Sequence, residues 1–398
     1  MKKVASVSVV SGLILALFIL CGPFVNKATA ETKTIKIGLV TSMTGMLAAP
    51  YMPMLETLKP LKELFDKRGG ITIKGQKYSV EVIAQDDQST PPGAVSAVNR
   101  LIQDGAKFII APMFPPNYLA IEPIVEESKI VTVLSLGAVP DFVGTGKRYT
   151  FGAHTYVYMP PVAIDYLKKH YPKVTKIAML SPDDPGAILN ISCAEKEAKA
   201  RGLDIVFQER FKMGSEDFYP VLTRLLQKKP DAIDVVLSIE PWAAAIINQS
   251  RELGFTGPVY ASAGLLGDIN IVKKLITEKY QYDLFHMGPD MQSPNMPAIV
   301  KDFRTLVERD GAKNPFQTSH VAVLDGAYTI VQGIEKAQGL DPDTVVQAME
   351  NMKTIDTTCG KGRMAGKEFF GANHVVRRPI AVSGILNGKV FCEFSSKD

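Results

Sequence analysis

Reactive side chains are scarce in this chain. Its 398 residues hold one tryptophan, five histidines and four cysteines. No C-x-x-C pair and no Cys/His group with metal-ligand spacing occurs, so no metal site is indicated and no cofactor is expected. The histidines (His154, His170, His286, His320 and His374) are scattered. Also missing are the G-x-S-x-G elbow, the G-x-x-x-x-G-K-S/T phosphate loop, G-x-G-x-x-G and H-E-x-x-H. Gly144-Thr145-Gly146-Lys147 comes nearest to a phosphate loop. Arg148 stands where Ser or Thr is needed, and the segment reads as a solvated turn. An excess of one charge is missing too. Lys+Arg number 45 against 41 Asp+Glu, and Lys2, Lys3 and Lys27 fall in an acid-free N-terminus, which leaves the body at +1. A nearly neutral body carries no electrostatic footprint for nucleic acid or an anionic membrane surface. Hydrophobic residues at 46% and charged residues at 22% exclude a disordered chain or a coiled coil. There is no low-complexity segment and no short-period repeat.

What is present begins at the N-terminus. Met1-Lys2-Lys3 is followed by an uncharged run, Val4 to Leu20, and by Ala28-Thr29-Ala30 before Glu31. Positive start, apolar middle and small-x-small end read as a secretory signal peptide over 1–30, cleaved after Ala30. Two alternatives stand beside it. A retained anchor would need about 20 apolar residues. A lipoprotein at Cys21 is disfavoured by Phe18-Ile19-Leu20, which offers no small residue before the cysteine. The mature protein is expected to be exported and soluble. Three cysteines remain after cleavage. Cys193 reads as a buried apolar residue on a helix. Cys359 and Cys392 are a candidate disulfide in an oxidising compartment, with their spacing in space left open.

Short β-rich runs alternate with helical stretches along the body. Ile35–Val40, Tyr78–Ala84, Phe108–Ala111 and Ile130–Leu134 are strands. Leu55–Arg68, Ala94–Ile102 and Ile121–Glu127 are the helices between them. The rhythm restarts after Gly146 with strands at Ile177–Leu180, Ile205–Phe207, Val235–Leu237 and Val259–Ala261, separated by helices at Ile188–Lys199, Phe218–Leu226 and Ala243–Leu253. This alternation predicts an α/β protein with two doubly wound parallel sheets, in blocks of roughly 31–150 and 151–283. A helical tail over 293–347 and strands over 375–394 dock back on them. Asp86-Asp87 and Asp183-Asp184 follow strands. Paired carboxylates can share a proton in acid–base work, but at strand ends they more often cap the next helix, the role expected here.

Ile35-Lys36-Ile37-Gly38-Leu39-Val40-Thr41-Ser42-Met43-Thr44-Gly45 resembles the opening of periplasmic solute-binding proteins of the leucine/isoleucine/valine-binding type. The likeness continues through Gly69-Gly70-Ile71 and Gly75-Gln76-Lys77-Tyr78. It is strongest at Asp86-Asp87-Gln88-Ser89-Thr90-Pro91, and resumes at Lys212–Phe218 and Lys228–Ala232. The resemblance implies two α/β lobes joined by three crossing strands. They close over a small ligand and deliver it to an ABC transporter permease, in a periplasmic and monomeric protein. It also implies a lobe swap, with 31–150 plus 285–358 in the first lobe and 151–284 plus 359–398 in the second.

In that family, amino-acid binders hold the ligand carboxylate with Ser and Thr of the first lobe and the ammonium with an acid of the second. Here Pro115 falls at the first hydroxyl position, in Met113-Phe114-Pro115-Pro116-Asn117-Tyr118, and offers neither hydroxyl nor N–H. Ser135, in Ser135-Leu136-Gly137-Ala138, is a partial substitute. Ser262-Ala263-Gly264 stands where the acid is expected, and Ala263 cannot pair an ammonium. Glu240 is either a replacement counter-charge or a turn acid before Pro241. Met43, Phe114, Tyr118, Tyr156 and Trp242, with Met46, Tyr51 and Met287, would suit a flat apolar ligand. Tyr118 and Trp242 are equally open to an inward core position. His154 either donates to a ligand carboxylate or serves the crossing backbone, and Ser42 and Ser262 complete the candidate set. The expectation is a binding protein for a ligand with an apolar or aromatic body and a polar or carboxylate end. Branched-chain amino acid binding, a sensor ectodomain and a motif-free hydrolase using Asp86 or Glu240 are the alternatives.

Overall fold

The computed structural model describes residues 33–135, 137, 142–183, 185–263 and 269–394. The signal segment with Cys21 and the cleavage site, together with Leu136, Ala138, Asp184 and Gly264, lies outside the described residues. Sixteen strands are described in chain order. They are β1 (Lys33–Thr41), β2 (Ile71–Ile73), β3 (Gln76–Asp86), β4 (Phe108–Ile110), β5 (Val131–Leu134), β6 (Thr150–Gly152), β7 (Lys176–Pro182) and β8 (Asp204–Phe211). They continue with β9 (Ala232–Val235), β10 (Val259–Ala261), β11 (Leu284–His286), β12 (Ile355–Thr357), β13 (Gly360–Ala365), β14 (Val375–Arg377), β15 (Ala381–Leu386) and β16 (Lys389–Phe394).

They form two sheets, ordered β12-β13-β14-β6-β5-β4-β1-β3-β2 and β16-β15-β11-β10-β9-β7-β8. The centre of the first is parallel, with β1, β4, β5 and β6 in register (Ile37 with Phe108, Ile109 with Thr132, Val133 with Phe151). β8, β7, β9, β10 and β11 do the same in the second. Short runs such as Phe108-Ile109-Ile110 and Val131-Thr132-Val133-Leu134 are buried throughout, as strands covered on both faces must be. Helices lie against both faces. Ile37, Leu39, Phe108, Phe303 and Leu324 pack on one side of the first sheet, and Val40, Ile109, Tyr118 and Ile121 on the other. The second sheet has the same two-sided core. Its strand expected at Val235–Leu237 lies three residues earlier, because Asp231 accepts the Thr175 and Lys176 amides at 2.9 Å and fixes where β9 begins.

Helix boundaries follow local chemistry. Pro91 and Pro92 open Pro91–Gln103, whose cap is the Thr90 hydroxyl accepting from the Gly93 amide at 3.1 Å. Leu58–Lys67 ends at Gly69-Gly70. Gly70 has φ +70°, and a Cβ there would lie 2.2 Å from the Tyr78 carbonyl, so only glycine fits.

The chain crosses between the sheets three times: after β6, after β11 and after β14. The third crossing is at 378–380, not at the expected 358/359. The reason is pairing. β13 is antiparallel to β12 and to β14 (Met364 with Val376), and β14 joins β6 at Val375–Gly152, which keeps 359–377 on the first sheet.

Candidate functional site

The carboxyl ends of the first sheet's strands are tied together by two acids. The Asp86 carboxylate accepts from the amides of Met43 (2.9 Å), Thr44 (3.3 Å) and Gln88 (2.8 Å) and from the Thr44 hydroxyl (2.6 Å). Burial alone would raise its pKa, but these hydrogen bonds outweigh burial and hold the carboxyl below its usual range. Asp87 accepts from the Ser42 hydroxyl (2.6 Å), the Ser89 amide (2.8 Å) and the Asn117 side chain (2.8 Å). The pair therefore braces three loops, and the helix cap expected of it belongs to Thr90. Ser42, fully buried, has its hydroxyl committed to Asp87, and Met43 has its amide on Asp86; neither is a free ligand donor. Asp183 pairs with Arg210 at 3.2 Å and stays exposed.

Phe114 is half-buried at the cap of helix Pro115–Glu127, with Pro115 as its first residue. Tyr118 turns inward. It is 1% exposed, packs edge-on to Phe142 and donates to the Phe142 carbonyl at 2.8 Å, which corrects its reading as a cleft wall. Helical spacing decides this, since Asn117, Tyr118, Ile121 and Val125 form the helix's buried side. Ser135, just past β5, is buried with a hydroxyl that has no partner among the described residues.

The first crossing supplies His154 and Tyr156, whose rings meet edge-on at 5.5 Å. Tyr156 lies on Gly137; a Cβ there would come within 2.1 Å of its ring, so glycine is what lets the aromatic rest on the loop after β5. Burial, then the nearby Asp87 and Tyr156, push the Tyr51 hydroxyl up to about 12, which puts these three groups in one neighbourhood. Burial, then the charge of Arg378, push His154 well below its usual value, and its Nδ1 is buried without a partner among the described residues.

In the second lobe, Glu240 is the first residue of helix Glu240–Glu252 and half-buried. Trp242 packs on the lobe's core, edge-on to Phe211 at 5.6 Å, so its ring is at least half committed to packing. Met287 is wholly core. Ser262 is buried and donates its amide to Asp234 at 2.9 Å. The hydroxyls of Ser262 and Tyr260 face that carboxyl without hydrogen-bond geometry, and Asp234 Oδ2 has no partner among the described residues. Burial pushes Asp234 up to about 7. The fully buried His286, beside Ser383 at 2.7 Å, is pushed down to about 3 by burial.

Sequence reasoning missed the charged group at the crossings. Arg378 donates through Nη1 to Asp325 at 2.8 Å and to Thr358 at 3.0 Å, and Thr358 donates to Asp325 at 2.6 Å. The Arg377-Arg378-Pro379 run was its visible trace. Cys359 and Cys392 are free thiols, a correction to the expected disulfide: Cys359 sits in the β12–β13 turn of the first sheet and Cys392 in β16 of the second. Cys193 is a half-buried free thiol raised by burial. Gly144–Lys147 is the turn expected, closed by a Lys147 amide bond to the Gly144 carbonyl at 2.9 Å. No metal-binding group of three or more His, Cys, Asp or Glu and no helix able to cross a membrane occurs among the described residues.

The profile of the periplasmic binding protein family matches residues 34–389. Leu/Ile/Val-binding protein BraC3 of Rhizobium johnstonii is 24% identical over 342 residues, covering 82% of this chain and 86% of its own length. A solute binding protein of an ABC transporter from Rhodopseudomonas palustris HaA2, solved with p-hydroxybenzoic acid, gives a TM-score of 0.71 at 20% identity, covering 91% of this chain and 96% of that one. The branched-chain amino acid transporter substrate binding protein LivJ from Streptococcus pneumoniae, solved with isoleucine, gives 0.71 at 19% identity, covering 91% and 99%. These two structures share the two-lobed α/β fold, and the family match spans both sheets and all three crossings. The chain belongs to the periplasmic binding protein family.

Proposed function

We propose that the chain is the exported ligand-capturing protein of an ABC importer. Residues 1–30 direct export, cleavage follows Ala30, and the mature protein works as a periplasmic monomer. The two lobes close about their crossings on a small molecule with an apolar or aromatic body and a polar or carboxylate end. It is passed to a permease unchanged. Closure of a hinged pair of α/β lobes buries a ligand at strand ends, where loops from both sheets converge.

The observation that carries the ligand class is Ala263. It is fully buried at the position where the family's amino-acid binders present an acid, and Asp234 on the neighbouring strand is buried and near neutral. An ammonium left unpaired there costs several kcal/mol or more. Pro115 removes first-lobe donors as well, while Tyr51 and Tyr156 supply aromatic surface. The second reading, branched-chain amino acid binding, draws on the names of relatives such as BraC3 and would need Glu240 as counter-charge.

A thermal-shift screen of the mature protein against leucine, isoleucine, valine, benzoate, p-hydroxybenzoate and benzamide checks this. A ligand at 100 times its Kd stabilises by about 2.7 kcal/mol. The aromatic compounds are expected to raise Tm and to be recovered chemically intact. A shift with leucine alone would establish the second reading, and recovery of an altered compound would make the protein an enzyme.

A further inference from the structure

The three crossings meet around a cavity of about 30 Å³, the space of one water or one carboxylate group. His154 enters it from the first crossing, Met287 and Pro289 from the second, and Arg378 from the third. We propose that this cavity seats the carboxylate of the ligand, held by Arg378 and His154. The proposal rests on the reading above that the ligand has an apolar body and one polar end.

Three observations converge on it. Arg378 is held by Asp325 and Thr358 through Nη1 alone; Nε and Nη2 donate to no described group. A guanidinium presents five donors in a rigid fork, so Asp325 on one side leaves room for a second carboxylate. His154 Nδ1 is fully buried with no partner among the described residues, an arrangement that is unfavourable until something in the cavity completes it. The first lobe, meanwhile, has no donor at Pro115, and the Ser42 hydroxyl is committed to Asp87. Ser135 keeps the one strand-end hydroxyl of this group without a partner among the described residues, and the charged donor lies on the floor between the lobes. The cavity is too small for a ring, which must lie above it, toward Tyr156. The ligand class is a carboxylate-ended molecule, and its uncharged amide should be a poor substitute.

The arrangement has a mechanical side. Asp325 lies on helix Thr318–Ala337 of the first lobe and Arg378 on the third crossing, so a carboxylate on the fork would tie ligand occupancy to the segment that must bend on closure.

The test titrates the exported protein with benzoate, p-hydroxybenzoate, benzamide and leucine by calorimetry, using wild type, Arg378→Lys and His154→Leu. Lysine keeps the charge facing Asp325 but cannot fork; leucine leaves the Arg378–Asp325 pair untouched. Wild type should prefer an acid over benzamide by about 100-fold, and Arg378→Lys should lose about 30-fold in acid affinity with benzamide unchanged. His154→Leu should lose about 10-fold, again for the acids only. Acid binding that neither variant weakens overturns the carboxylate seat and leaves the aromatic-ligand reading standing, as does equal binding of acid and amide. Binding of leucine with no response to any aromatic compound overturns both. If Arg378→Lys fails to fold, His154→Leu alone decides.

Discussion

At the strand ends of the first sheet, the Asp86 carboxylate accepts four hydrogen bonds and that of Asp87 three. At those of the second, Asp234 accepts the Ser262 amide and its other oxygen has no partner among the described residues, where the buried Ser181, Ser238, Tyr260 and Ser262 hydroxyls are unpartnered too. Both regions bury acids under similar doubly wound sheets. In one, the acids are saturated and hold loops in place. In the other, the acid is fully buried and raised toward neutrality, and it holds one amide rather than several. Similar topology thus supports one rigid rim and one that keeps unused polar capacity, and substitution should affect the two very differently.

The largest effect is expected from Asp87→Ala. It strands the Ser42 hydroxyl, the Ser89 amide and the Asn117 side chain, and should cost about 5 kcal/mol in urea unfolding. A loss no larger than that of an exposed substitution would remove the bracing role. Asp234→Asn should go the other way. With a folded pKa of about 7 and an unfolded one near 4, the folded state of the wild type binds the extra proton between these values. Stability therefore falls as pH rises from about 4 to about 7 and remains lower above. Asparagine abolishes that slope, so the variant should gain about 4 kcal/mol over wild type at pH 8 and almost nothing at pH 4. A gap that stays constant with pH would refute the raised carboxyl. The smallest effects come from paired hydroxyl deletions. Tyr118→Phe removes bonds to the Phe142 carbonyl and Thr150 and should cost about 1.5 kcal/mol, while Tyr260→Phe should change stability by under about 0.5 kcal/mol. Equal costs would erase the contrast between the lobes.

Much of this architecture is legible in the sequence. Apolar runs such as Phe108–Ile110 announce buried parallel strands because both faces are covered, and Pro91-Pro92 after Thr90 marks a helix start. Asp234 interrupts the apolar run of β9 and hid that strand's true position. Tyr118 was ambiguous because a tyrosine suits a core or a cleft equally, and only the neighbouring chain that receives its hydroxyl resolves it. Ser42 meets Asp87 across 45 residues and Arg378 meets Asp325 across 53, pairings that no local pattern encodes. The lobe swap was off by some twenty residues, because the β12–β13 hairpin continues the first sheet past Cys359.

Trp242, the chain's sole indole, stands in the first turn of helix Glu240–Glu252 against Phe211. The protein therefore carries its own optical label at a known address. Emission excited selectively in the indole reports the environment of the second lobe alone, with no dye and no second emitter to subtract.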